Sequence, residues 1–267
     1  MKIAVLNLMP NKVETENQLQ KSLGQNNYGL EFTFLRTATY QPKNSDPAYL
    51  EANYKIIDDV LSEEFQGFIC TGAPVETLPF ESVLYMDELT QIIQWAREKT
   101  SSSYYICWGA NVALYYFYGI EKILYEKKFS GVYDHEIIDP GANLMDGLSG
   151  TIKIPVSRFA GVRKDDIDAE PDLELLLYSE ESGPCLIASK THNEYYNFNH
   201  FEYDADTLSK EYHRDIKNEM EIDIPVNYFP NNDPNNDPVK CWGIHGTIFF
   251  NNWLQNMYAY SNSNKAE

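Results

Sequence analysis

The stretch Ser103-Tyr104-Tyr105-Ile106-Cys107-Trp108-Gly109-Ala110-Asn111-Val112-Ala113-Leu114-Tyr115-Tyr116-Phe117 decides the fold class. Residues 103–106 are a short run of β-favouring side chains ending on Ile106, which predicts a buried strand. From Val112 to Phe117 the residues are almost all apolar, at the density of a buried helix. Strand and helix therefore meet at Cys107. A junction of this kind is where a nucleophile elbow lifts one side chain above the carboxyl edge of a sheet. The helix N-terminus there favours a thiolate, and its free N–H groups can receive an oxyanion. Gly109, two positions on, lets another backbone pass closely. Local context alone leaves Cys107 open between a core thiol and a nucleophile.

Outward from this point the same alternation recurs. Residues 2–8 are an apolar run of strand length, and residues 14–23 have helical spacing. Residues 30–37 alternate as a strand, 54–61 have helical spacing, and Phe68-Ile69-Cys70-Thr71-Gly72 is a short buried strand closed by glycine. Residues 86–97 are amphipathic at helical spacing. This β-α-β-α order predicts an α/β fold, a doubly wound and mostly parallel sheet with helices on both faces. Residues 128–170 change character, with several Gly and Pro and few helical periods, and are expected as an inserted excursion off the sheet. Strand patterns resume at 173–179, 185–188 and 195–198, followed by helices over about 204–220 and 246–260. The expectation is one domain over residues 1–267.

Composition narrows the function. The chain has 267 residues, 43% hydrophobic and 23% charged, enough for a sizeable core, and no apolar run reaches the roughly 18 residues of a membrane span. The first residues, Met1-Lys2-Ile3-Ala4-Val5-Leu6, are too short an apolar stretch for a signal peptide, so a cytoplasmic address is expected. A formal charge of −19 disfavours nucleic acid and anionic membranes as partners. Any polyanionic co-substrate needs a local basic patch. Cys70, Cys107, Cys185 and Cys241 form no C-x-x-C pair, which argues against zinc and a disulfide framework; three are expected as buried hydrophobes. The Asn-Asn-Asp-Pro repeat over 231–238 is turn chemistry without the acid spacing of a calcium loop.

Two further segments carry chemistry. His200 follows the 195–198 strand and stands two residues before Glu202, so the carboxylate can hold the imidazole in one tautomer for a nucleophile. His192 and His245 compete with it, and a surface histidine beside a capping acid is the plainer alternative. If both strands lie in one sheet, Cys107 and His200 meet above its carboxyl edge. Thr71-Gly72-Ala73-Pro74 is either an ordinary turn or a second oxyanion donor. Arg214, about three turns into the following helix, is either solvated or positioned for a carboxylate.

With these residues assembled, the sequence resembles the homoserine O-acyltransferases, the homoserine trans-succinylase family, over residues 2 to about 258. The likeness is carried by Leu6-Asn7-Leu8-Met9-Pro10-Asn11-Lys12-Val13-Glu14-Thr15-Glu16, Thr71-Gly72-Ala73-Pro74-Val75-Glu76, Ile106-Cys107-Trp108-Gly109-Ala110, Lys128-Phe129-Ser130-Gly131-Val132-Tyr133, Glu202-Tyr203-Asp204 with Thr207-Leu208, and Asn227-Tyr228-Phe229-Pro230. The resemblance implies a class I glutamine amidotransferase-like (flavodoxin-like) fold and a Cys-His-Glu triad of Cys107, His200 and Glu202. It implies ping-pong transfer of acetyl from acetyl-CoA to an amino-acid hydroxyl, with no permanently bound cofactor and no metal. Lys128, Ser157 and Arg214 then contact the amino acid, backbone N–H groups at Trp108 and Gly72 hold the oxyanion, and a homodimer is expected. Glu76 marks acetyl-CoA users, where succinyl-CoA users have glycine; a carboxylate there repels succinate's own.

The chain departs from the family pattern at Asn199-His200-Phe201-Glu202 (Gly-His-Pro-Glu), Pro155-Val156-Ser157-Arg158 (Pro-His-Ser-Arg) and Trp242-Gly243-Ile244-His245 (Trp-Arg-Ser-His). L-homoserine is the expected acceptor and L-serine, as in cysteine synthesis, the alternative. Other readings are a glutamine amidotransferase subunit, which releases ammonia from glutamine, and an inactive binding protein.

Overall fold

The computed structural model describes residues 1–24, 26, 28–41 and 45–263. The first half alternates: β1 Lys2–Leu6, α1 Lys12–Leu23, β2 Glu31–Leu35, α2 Pro47–Asn53, β3 Tyr54–Lys55, β4 Gly67–Cys70, α3 Met86–Lys99, β5 Ser102–Ile106 and α4 Trp108–Tyr118. Two long strands follow, β6 Ile123–Ile137 and β7 Ile152–Gly161. After them come α5 Lys164–Ala169, β8 Leu173–Ser179, β9 Gly183–Ser189, β10 Glu194–Asn197, α6 Thr207–Lys217 and α7 Gly243–Ser263.

All ten strands form one sheet in the order β3-β2-β1-β4-β5-β10-β9-β8-β6-β7. Every pairing from β3 across to β10 is parallel, and every pairing from β10 onward is antiparallel. The parallel centre is buried on both faces, as its near-continuous apolar strands require. Side chains alternate across it. Ile3, Val5, Ile69 and Tyr104 meet Leu19 and Leu23 of α1 and Phe249, Phe250 and Trp253 of α7. Ala4, Leu6, Phe68 and Tyr105 meet Leu89 and Ile92 of α3 and Val112 and Ala113 of α4. Burying each large apolar side chain contributes about 1.5–3 kcal/mol. Trp253 adds a polar tie, its Nε1 donating to Ser102 Oγ at 2.9 Å and so fastening α7 to β5.

Three expectations need correction. Residues 128–170 are not an excursion as a whole: β6 and β7 continue the sheet as an antiparallel pair, with partners on β8 and on each other, and only 138–151 and 162–170 lie outside its strands. Residues 54–61 are not an α-helix: they hold strand β3 and one 3-10 turn, Ile57–Asp59. Tyr54 pairs with Phe34 and buries its hydroxyl against Asn7 and Glu16, so strand pairing and a polar anchor override the local periodicity. The helix lies just before, at α2, started by Pro47 and capped by Asp46 accepting from Ala48 N at 3.0 Å. Finally, Cys70 and Cys185 are buried as expected, but Cys241 is exposed at the entry to α7.

Candidate active site

Cys107 sits between β5 and α4 with φ 52° and ψ −115°, a backbone region that L-residues adopt only under constraint. The constraint is visible. Its N–H donates to Asn197 O of β10 at 2.7 Å, and its carbonyl accepts from Ala110 N and Asn111 N at 3.0 and 3.2 Å. The turn also needs Gly109, where a Cβ would lie 2.9 Å from both Cys70 O and Thr71 O. Bulk at that position would push the β4 end away from α4. Among the hydrogen bonds of the described residues, neither Trp108 nor Gly72 donates its backbone N–H. Both groups flank the thiol: Trp108 is the first residue of α4, and a Cβ at Gly72 would meet Cys107 Sγ at 3.7 Å.

His200 lies just beyond β10, the strand that pairs with β5. Its backbone N–H donates to Pro155 O of β7 at 2.9 Å, and its ring stacks on Tyr203 at 4.1 Å between centroids. Nδ1 meets Glu202 Oε1 at 2.6 Å, leaving the other ring nitrogen for the Cys107 thiol, which is within hydrogen-bonding reach. Burial disfavours charge on this imidazole, but the Glu202 carboxylate and the Cys107 sulfur outweigh it and lift His200 to about 10. His192 is exposed at the start of β10, the opposite edge of the sheet, and His245 accepts from Lys153 N at 3.3 Å on α7. Neither competes for the thiol.

In front of these residues a cleft of about 650 Å³ opens between the start of α1 and α6, lined among others by Met9, Lys12, Thr15, Tyr203, Glu211 and Arg214. Met9, Thr15, Gln18 and Tyr203 also line a throat of about 10 Å³ that reaches Gly72, Ile106, His200 and Glu202. The cleft therefore adjoins the space beside His200. Arg214 stands at its rim, half exposed, with one edge tied to Asp215 at 2.6–2.7 Å. Lys128 and Ser157 converge on a carboxylate of the cleft lining, Glu211, that sequence reasoning missed. Ser157 Oγ and Lys128 Nζ both donate to Glu211 Oε2, Lys128 at 3.3 Å, while Tyr203 donates to Oε1 at 2.9 Å. Burial raises the Glu211 carboxyl, but Lys128 and the hydrogen bonds prevail and hold it below its usual value. One signal was available: Glu211 precedes Arg214 by three residues and shares its helix face.

Glu76, in the loop after β4, receives N–H groups from Phe159 and Ala160 of β7 and lies in the fields of Lys128 and Arg158. Burial nevertheless raises its pKa, and its Oε2 has no hydrogen-bond partner among the described residues. No group of three or more His, Cys, Asp or Glu able to hold a metal occurs among the described residues. None of the described helices is long and apolar enough to cross a membrane.

Known proteins resemble the chain over nearly its whole length. The model of the family described as homoserine O-succinyltransferase matches residues 1–264. The chain belongs to that family. Relatives within it include a protein named homoserine O-acetyltransferase from Sinorhizobium fredii, 43% identical over 97% of this chain and 84% of its own length. Another of the same name, from Lysinibacillus sphaericus, is 42% identical over 97% of this chain and 83% of its own. Solved structures extend the likeness in fold alone. A glutamine amidotransferase from Thermotoga maritima has a TM-score of 0.57 at 11% identity, covering 96% of this chain and 95% of that one. Another, from Methylobacillus flagellatus, also has a TM-score of 0.57, at 14% identity, covering 97% and 92%. The fold of this family member is accordingly class I glutamine amidotransferase-like.

Proposed function

We propose that this chain, working as one domain over residues 1–267, moves acetyl from acetyl-CoA to the hydroxyl of L-homoserine through a thioester on Cys107. One observation carries the reading: a buried thiol on a positive-φ elbow lies within hydrogen-bonding reach of an imidazole whose other nitrogen a carboxylate holds at 2.6 Å. In the first half-reaction the Cys107 thiolate adds to the thioester carbonyl carbon. The carbon–sulfur bond to CoA breaks, and the departing sulfur takes a proton from His200. In the second, the hydroxyl oxygen attacks the acetyl carbon as His200 accepts its proton, and Cys107 leaves as thiolate. Glu202 stabilises the imidazolium in both. The N–H groups of Trp108 and Gly72 receive the oxyanion each time.

The cleft suits an amino acid. A zwitterion needs an anion and a cation on one wall, and α6 offers Glu211 for the ammonium and Arg214 for the carboxylate. Lys128 and Ser157 meet the amino acid beside Glu211, whose charge they maintain. Lys12, Lys210 and Arg214 offset Glu14, Asp46 and Glu211 in the cleft lining, so the cleft is less repulsive to CoA phosphates than a chain of net charge −19 would be on average. Glu76 selects acetyl over succinyl, since two carboxylates in one buried space repel.

Incubation with radiolabelled acetyl-CoA and no acceptor tests the scheme. Label on the protein and a matching burst of free CoA are expected, both lost in Cys107→Ala; label persisting in that variant overturns the scheme. Homoserine and serine competing for the labelled protein identify the acceptor by their kcat/KM ratio.

A further inference from the structure

Behind the base lie buried polar groups that the chemistry above does not use. Arg158, on β7, is fully buried and has no carboxylate partner among the described residues. Its five N–H directions all end on neutral oxygens. Nε donates to Asn199 Oδ1 at 3.3 Å, Nη1 to Tyr125 Oη and Ala160 O at 2.9 and 3.0 Å, and Nη2 to Ser182 O and Pro184 O at 2.5 and 3.4 Å. The space is tailored. A Cβ at Gly161 would lie 2.2 Å from Tyr125 Oη and 2.4 Å from Arg158 Nη1. His135, on β6, is also fully buried, and its Nδ1 faces Tyr133 O at 3.1 Å and Ile152 O at 3.3 Å. Two carbonyls require a proton on Nδ1, so Nε2 is the acceptor for Asn199 Nδ2 at 2.8 Å.

The Asn199 amide is therefore held at both ends, oxygen by a donor and nitrogen by an acceptor. No apolar residue, and no glycine, supplies both. Asn199 is the residue before His200. Its own N–H donates to Asn197 Oδ1 at 3.1 Å, and Asn197 O accepts the Cys107 N–H at 2.7 Å. The hydrogen-bonded route from base to nucleophile thus passes through residues 197–200. We infer that Asn199 is a positioning residue, whose amide ties the His200 main chain to the fixed Arg158 and His135 and so sets the imidazole's distance from Cys107. The inference rests on the pairing of Cys107 with His200 in the proposed function.

The test uses the full chain in a Cys241→Ser background, which removes the exposed thiol and leaves Cys70 and Cys185 buried. Alkylation of Cys107 by iodoacetamide is compared in the parent, Asn199→Ala and Asn199→Asp. Both substitutions are expected to slow alkylation about tenfold near pH 7 and leave it nearly unchanged at about pH 9.5, where a thiol ionises unaided. In acetyl transfer, kcat should fall about tenfold or more with both KM values within about twofold. Asn199→Asp keeps the side-chain volume and an acceptor for Arg158, so it carries the test if the alanine variant does not fold. Variants with a lower Tm but the parent's alkylation rates and kcat overturn the inference and leave Asn199 a packing residue. Alkylation needs no acyl donor, so an unlabelled parent sinks the acetyl-enzyme reading while the alkylation comparison still decides the role of Asn199.

Discussion

Replacing Gly72 by alanine should separate the site from the fold. The new Cβ would lie 3.2 Å from Cys107 Cβ, 3.7 Å from its Sγ and 3.8 Å from Ile106 O. Carbon pairs rest at about 3.5–4.0 Å, so the overlap with Cys107 Cβ is roughly 0.3–0.8 Å. Cys107 yields poorly, because both ends of its peptide are hydrogen-bonded and its φ is already 52°. Overpacking on this scale costs about 1–3 kcal/mol. Gly72 does not occupy the positive-φ region, so alanine also narrows the unfolded ensemble and returns about 0.4–1 kcal/mol. The net loss of about 1–2 kcal/mol corresponds to a Tm lowered by roughly 2–8 °C. Activity should suffer far more. The methyl enters a throat of about 10 Å³ beside His200, and a thiol displaced toward 1 Å loses about a hundredfold in kcat/KM. Release of CoA thiol with acetyl-CoA and homoserine, beside calorimetry on the same sample, reads both quantities. An alanine variant with parental kcat/KM would refute the placement of Gly72 against the nucleophile.

Other expectations follow from the same geometry. Glu202→Gln keeps a group at Nδ1 but removes the charge behind the imidazolium, so kcat should fall by about 10²–10⁴ with KM little changed; a smaller loss in steady-state kinetics would demote Glu202. Glu76→Gly should raise the ratio of succinyl-CoA to acetyl-CoA turnover by about tenfold or more, and an unchanged ratio would remove Glu76 from donor choice. His200 is lifted from 6.5 to about 10 on folding, so its stabilising contribution is complete below about 6.5 and lost as pH rises through about 10. Lys12, lowered by burial to about 8, works in the opposite sense over part of that window, so the observable is the difference between the parent and His200→Gln. Urea midpoints should converge above about pH 10, and a constant gap would contradict the shift.

The parallel half of the sheet was legible because Lys2–Leu6, Gly67–Cys70 and Ser102–Ile106 are short runs buried on both faces, a pattern few other structures satisfy. The ends of β5 and β10, with Cys107 and His200 on them, were legible for the same reason. The direction of β6 to β9 was not. Alternation states which residues face the core but not whether the neighbouring strand runs with or against them. Residues 54–61 misled because helical spacing over so short a span is outweighed by a single anchored tyrosine. Glu211 and Asn199 escaped for a different reason: an acid on a helix and an amide in a loop read as solvated until Lys128, Ser157, Arg158 and His135 arrive from elsewhere in the chain.

The seam between β5 and β10 also joins segments that lie far apart along the chain. Ser102 reaches Asn193 across 91 residues, whereas β6 to β9 join neighbours along the chain and can pair early. Until β10 docks, β5 presents an open edge next to an unshielded thiol, a template for pairing with another chain. Closure of this long loop both caps that edge and delivers His200 to Cys107. A chain whose β10 is undocked therefore combines an unpaired sheet edge with a thiol that lacks its imidazole neighbour.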